Sequence, residues 1–219
     1  MRRPDWRRAH EEEGAPGLAS ETWVYVRQDA IAVFTIGHST LPIDTFIHAL
    51  KENGVDALID VRTIPQSRHN PQFGQEDLSA SLRSAGIEYY WMQSLGGLRR
   101  PRKDSINTGW RNASFRGYAD YMQTDAFADA VQELMTLDKR GNAAILCSEA
   151  VPWRCHRSLI GDALLARNRP VEDIFVSPAG KTHRKPHTLT SFACVEDGRL
   201  WYPDSQAIPW PEEIATDKR

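Results

Sequence analysis

From Ile31 onward the apolar positions fall into two alternating kinds of run. IAVFTIG (31–37), VDALIDVR (55–62), IEYYWM (87–92), NAAILC (142–147) and VEDIFV (171–176) are short and nearly continuous, as strands buried on both faces are. Between them the period becomes helical. Ile43, Phe46, Ile47 and Leu50 stand at i, i+3, i+4 and i+7, with Ser39 and Thr40 placed to cap the helix and Gly54 to stop it. Leu78, Leu82 and Ala85 share one face of a segment over 76–86. A longer helical pattern runs from Phe115 to Asp138 with a break expected near Thr124, and RSLIGDALLARN (157–168) supplies the last helix. Strands alternating with helices are βαβ units. The pattern therefore predicts an α/β fold: a single open, mainly parallel five-stranded sheet with helices on both faces, layered as in Rossmann and flavodoxin folds.

The chain divides into three parts. Residues 1–30 mix both charge signs with Gly, Pro and Ala and show no period, so they read as a disordered or irregular tail. Residues 31–178 form the α/β domain, and 179–219 read as an irregular extension packed on it, with one hairpin signal at Asp197-Gly198. Composition changes this picture little. A charged fraction of 26% and a net charge of −2 point to no polyanion-binding surface overall, so any such site has to be local. Three cysteines (Cys147, Cys155, Cys194) fit a reducing compartment better than a disulfide framework. The start has no apolar run of signal-peptide length, and no stretch approaches the roughly 18 apolar residues of a membrane span. The expectation is a cytoplasmic protein without a membrane partner.

In open parallel sheets ligands bind outside the carboxyl ends of the strands, where loops diverge and helix amino ends point inward. Gly37, His38 and Ser39 follow the first strand; Asp60 and Arg62 leave the second; Cys147, Ser148 and Glu149, then Arg154, Cys155, His156 and Arg157, follow the fourth. Three strand ends thus deliver ionisable groups to one edge. Each residue also has a plainer reading: Asp60 as a turn cap or the partner of Arg62, His38 as a turn histidine, Cys147 as a small buried hydrophobe. An oxyanion-cradling loop would need five residues between cysteine and arginine, and Cys147 to Arg154 has six. Cys155 beside His156 and Arg157 is the better candidate for an activated thiol. A metal is not expected: Cys147, Cys155 and His156 lack a fourth ligand at a usual spacing, although Cys194, His183 or His187 could supply one. No cofactor is expected either.

A second signal is basic. Gly96 and Gly97 open a loop carrying Arg99, Arg100, Arg102, Lys103, Arg111 and Arg116, opposed by Asp104 and interleaved with Trp110 and Phe115. Lys181, His183, Arg184, Lys185 and His187 form another cluster near the end. Arginines next to aromatics suit a phosphate backbone and stacked bases.

The segments TIGHST, LIDVRTIPQSRHNPQF, IEYYWMQSLGG, SFRGYADYM, LCSEAVPWRCHRSLI and HTLTSFACVEDGRLWYP together resemble the bacterial and archaeal family called domain of unknown function 488, over roughly 31–203. The resemblance falls on Gly37-His38, Asp60-Val61-Arg62, Cys147-Ser148-Glu149 and Cys155-His156-Arg157. It implies the fold and the place of the site, and no reaction.

Asp60 and Glu149 would place two carboxylates over one crevice, able to divide acid and stabiliser roles across a glycosidic bond. The expectation is a hydrolase of N-glycosidic bonds in DNA, another nucleic acid or a nucleotide, akin to a DNA glycosylase acting in repair. Asp60, Glu149, His38 and His156 would be catalytic. Ser39, Arg62, Arg154, Cys155, Arg157, Gly96, Gly97, Arg99, Arg100 and Trp110 would bind substrate, Trp110 by stacking on an extruded base. A binding module without catalysis, or a thiol enzyme built on Cys155, are the alternatives.

Overall fold

The computed structural model describes residues 32–138 and 141–204; the tail expected over 1–30 lies outside them. Five strands run parallel in one sheet: β1 (Val33–Gly37), β2 (Ala57–Asp60), β3 (Glu88–Trp91), β4 (Ala143–Cys147) and β5 (Val171–Val176). A sixth, β6 (Thr182–Pro186), is antiparallel to β5, and the order is β3-β2-β4-β1-β5-β6. Helices α1 (Ile43–Glu52), α2 (Gln75–Ser84), α3 (Ala113–Tyr121), α4 (Asp125–Asp138) and α5 (Arg157–Leu165) cover the sheet in Rossmann-like layers.

The central strands β1, β2 and β4 are apolar over most of their length because successive residues feed opposite buried layers. Phe34, Ile36, Leu58, Ala144 and Leu146 pack with Phe46 and Leu50 of α1 and with Leu78 and Leu82 of α2. Val33, Ile59 and Ile145 pack with Tyr118 of α3, with Phe127, Val131 and Leu134 of α4, and with Leu159, Ile160 and Ala163 of α5. Among the described residues no helix is long and apolar enough to cross a membrane.

Two local readings change. The extension expected to be irregular contains β6 and a separate hairpin of β7 (Cys194–Glu196) and β8 (Arg199–Trp201). The hairpin forms where its turn signal lies, with Asp197 at φ 48° and Gly198 at φ 75°, as a tight two-residue turn requires. β6 escapes a hydrophobic-pattern reading because its sequence, THRKP, has no apolar face: it is an edge strand with lysine, arginine and proline, residues that discourage further strand addition. The other change concerns α1, which starts after Pro42 with no side-chain cap, leaving Ser39 and Thr40 in a preceding turn.

The carboxy-terminal segment is tied to the sheet by a buried polar network. Asp162 of α5 accepts hydrogen bonds from the Tyr202 hydroxyl at 2.8 Å and the Thr190 N–H at 3.1 Å. Asp173 of β5 accepts from the Thr35 hydroxyl at 2.5 Å. His187 bridges the two carboxylates, with Nδ1 2.8 Å from Asp173 and Nε2 3.3 Å from Asp162. Gly161 lets the imidazole cross α5: a Cβ there would lie 2.7 Å from Nε2.

Burial pushes the His187 pKa down, but its hydrogen bonds to Asp162 and Asp173 and their charges outweigh it and lift the pKa to about 9. This folded-state value lies above the unfolded value of 6.5, so the contribution is full below about pH 6.5 and is lost as pH rises through about 9. It amounts to something on the order of 3 kcal/mol. Urea unfolding at about pH 6.5 and about pH 9.5 should show that loss in the wild type and a markedly flatter profile in His187→Gln.

Candidate functional site

The strand order makes the cleft. From β1 the chain crosses through α1 toward β2, whereas from β4 it crosses through α5 toward β5, on the other side. β1 and β4 are neighbours, Gly37 opposite Cys147, so their exits diverge at a topological switch point. A cleft of about 900 Å3 lies there, lined from β1, β2 and β4 exits and by Gly97, Leu98, Ser114 and Phe115 of the basic loop and the start of α3. The two exits are bonded before they part: the His38 N–H donates to the Cys147 carbonyl at 3.2 Å and the Ser39 N–H to the Ser148 carbonyl at 2.9 Å. Ser39 turns the chain with φ 47°. Gly37 is required by contact, since a Cβ there would stand 1.7 Å from the Glu149 carbonyl oxygen.

Asp60 is not available as a catalytic base. It is fully buried, and Arg62 grips it with Nε 2.8 Å from Oδ1 and Nη2 2.5 Å from Oδ2. The Arg62 N–H adds a bond to Oδ1 at 3.0 Å, and the Tyr89 hydroxyl donates to Oδ2 at 2.8 Å. Arg62, for its part, spends Nη1 on the Phe73 carbonyl at 2.9 Å. The pair holds the β2 exit in place and offers no free carboxylate or guanidinium for substrate.

His38 is equally enclosed. Nδ1 is 2.8 Å from the Ser39 carbonyl, which makes it the protonated nitrogen, so Nε2 faces Arg62 Nη1 at 3.4 Å as acceptor. The ring stacks on Phe73 with centroids 4.2 Å apart. Burial and the Arg62 charge push its pKa down to about 4, so the imidazole is neutral at neutral pH.

Beside this floor lies a group that only folding brings together. His156 Nε2 donates to the Val61 carbonyl at 3.1 Å, which leaves the Nδ1 lone pair pointing at two sulfurs: Cys155 Sγ at 3.7 Å and Cys147 Sγ at 3.9 Å. Both thiols are buried yet border the cleft. The hydrogen bond from Cys155 brings the Cys147 thiol well below its usual pKa, while burial and the neighbouring sulfur push Cys155 up. Cys147, read from sequence as a small hydrophobe, therefore stands in one group with Cys155 and His156. Gly97 packs over the ring: a Cβ there would sit 2.4 Å from Nδ1, 2.7 Å from Cγ and 2.9 Å from Cε1, which places it above the ring face.

The remaining residues sort into framework and cleft wall. Arg157 is framework: buried, it donates to the carbonyls of Glu149 at 2.5 Å and Ala150 at 3.0 Å, so it shapes the loop and cannot reach a ligand. Arg99 lies over the Tyr121 ring at 3.7 Å and bonds the Gly96 and Ser94 carbonyls. Gly96 packs on Thr63, where a Cβ would come within 2.6 Å of Oγ1. Trp110 is no platform for a base; it stacks on Phe115 at 4.7 Å, touches Phe192 and Tyr202 edge-on, and faces a different cavity. Phe115 lines the cleft instead. Glu149 and Arg154 are exposed and line the cleft, and Arg100, Lys103 and Arg111 are exposed on the loop beside it. The second basic cluster is mostly consumed, with Arg184 paired to Glu172 at 3.3 Å, His183 stacked on Phe175 and His187 buried.

The family described as domain of unknown function DUF488 matches residues 42–164, more than half of the chain and all of the β2 and β4 exits. No curated protein and no solved structure matches the chain.

If the Asp60–Arg62 pair is framework, Asp60→Asn leaves a buried guanidinium short of its counter-charge and should destabilise the fold by about 3–5 kcal/mol. Chemical denaturation checks this, and a stability loss below about 1 kcal/mol would show the pair to be dispensable to the fold.

Proposed function

The chain belongs to the DUF488 family, whose description carries no reaction, and from the cleft we propose that it is a hydrolase of the N-glycosidic bond of a nucleotide or nucleic acid, DNA foremost. Glu149 carries this reading. It is the one carboxylate among the described residues that line the cleft, and Arg157 fixes its backbone while its side chain stays exposed. The division of labour between two carboxylates is lost with Asp60, so the reading narrows to one. Glu149 accepts a proton from water as the oxygen attacks the anomeric carbon; the C–N bond breaks with its electron pair going to the base nitrogen, and the same proton passes on to the leaving base.

Both imidazoles have their ring nitrogens engaged, which favours Glu149 over His38 or His156 as the group that moves the proton. Arg154 suits a phosphate, Phe115 rather than Trp110 offers an aromatic face, and Arg100, Lys103 and Arg111 give the rim a local positive charge.

The test is incubation with nucleotides and with oligonucleotides carrying normal, modified or damaged bases, followed by detection of free base and alkaline cleavage at abasic sites. Glu149→Gln should lower turnover by about 100-fold or more while leaving salt-sensitive binding in place. Salt-sensitive binding with no base release from any substrate would replace this reading with that of a binding module. Neutralising Arg100, Lys103 and Arg111 together should weaken oligonucleotide binding and flatten its salt dependence by up to about three charges' worth of slope.

A further inference from the structure

We propose that Cys147, Cys155 and His156 form a mononuclear zinc-binding site whose fourth coordination position opens into the cleft. Their ligand atoms, two Sγ and one Nδ1, all lie within 4.8 Å of one another. Tetrahedral zinc with bonds of about 2.3 Å to sulfur and about 2.0–2.1 Å to nitrogen needs ligand atoms some ~3.5–3.8 Å apart. The separations of 3.7 and 3.9 Å from Nδ1 to the two sulfurs meet that with little movement.

The surroundings are those of a ligating set. His156 donates its other ring N–H to the Val61 carbonyl, which fixes the tautomer and aims Nδ1 at the sulfurs. The Arg157 backbone N–H donates to Cys155 Sγ at 3.5 Å, a bond that steadies a thiolate. Gly97 packs on the ring face and leaves the in-plane lone pair open. Two thiolates balance one divalent cation, so the loaded site buries no net charge, and a sulfur–imidazole set selects zinc over magnesium or calcium.

The fourth ligands that spacing alone suggested lie outside the group: Cys194 is a free thiol in β7, His183 stacks on Phe175, and His187 joins Asp162 and Asp173. The cluster holds three protein donors and all three border the cleft. Three protein ligands with an open position are the arrangement of a catalytic rather than a structural zinc. Cys147, Cys155 and His156 would hold the ion, which would lower the pKa of water in the open position, and Glu149 on the same cleft would take the proton released. That catalytic role rests on the hydrolytic reading above; the metal site itself does not.

The experiment uses the full chain, chelator-treated under reducing conditions and titrated with Co(II). One equivalent should bind, with thiolate-to-cobalt charge-transfer absorption and the intense visible bands of a tetrahedral ion, and Zn(II) should displace it. Cys155→Ser and His156→Asn should each weaken cobalt binding by on the order of 100-fold or more, while Cys194→Ser leaves it unchanged. Alkylation of wild type, mapped by mass spectrometry, needs no variant to fold: zinc should protect Cys147 and Cys155 and leave Cys194 as reactive as before. Absence of the charge-transfer band, or equal alkylation of Cys147 and Cys155 with and without zinc, would overturn the site in favour of free thiols. Stoichiometric cobalt binding without base release would uphold the metal site and sink the hydrolytic reading; base release indifferent to chelation would overturn the metal's catalytic role and spare that reading.

Discussion

The site depends on one pairing, that of β1 with β4. By inserting between β1 and β2, β4 becomes the strand from which exits diverge on both sides, and its own exit carries Cys147, Ser148 and Glu149 into the gap. The pairing is tight enough to demand glycine at position 37, because the Glu149 carbonyl occupies the place of a side chain. Arg157 closes the same contact from the first turn of α5 through the carbonyls of 149 and 150. A loop that would otherwise wander is thereby held at both ends, which is what a site built on irregular backbone requires if its side chains are to keep their geometry.

Charge in the cleft is distributed by burial. Asp60 and Arg62 neutralise each other below the surface, His38 is kept neutral by burial and by Arg62, and the sulfurs share their environment with His156. The charges left to meet a ligand are those of Glu149 and Arg154, with the exposed cations of the neighbouring loop. The framework charges are thus spent on one another and on backbone carbonyls, and those of the working surface are left to face the cleft. Removing a framework charge would collapse the floor, whereas removing a surface charge would change what the cleft does.

Much of this was legible in the sequence for a definite reason. β1, β2 and β4 are buried on both faces, so each appears as an apolar run, and polar residues begin abruptly at their carboxyl ends. β6 was not legible, since an edge strand that reads THRKP has no hydrophobic period to find. The strand-end rule points to the edge where the cleft lies, but it could not tell which residues there consume each other. Asp60 and Arg62, two positions apart at the end of a strand, carried a local hint of pairing. The roles of Cys147, Phe115 and Trp110 carried none: Cys147 meets His156 across a loop, and Trp110 is taken up by Phe192 and Tyr202 from the far end of the chain.

The carboxy-terminal network has a consequence for the order in which the protein is made. Asp162 of α5 finds its partners in His187 and Tyr202, 25 and 40 positions further along the chain. The first residue of α5, Arg157, closes the Glu149 loop, and Cys155 and His156 immediately precede it. In a nascent chain that has emerged only as far as α5, the apolar residues of the helix can already meet the sheet, but Asp162 would be buried there with neither His187 nor Tyr202 as partner. The contacts that hold α5, and with it the sulfur–imidazole group that precedes it, are therefore complete only once the chain has been made as far as Tyr202.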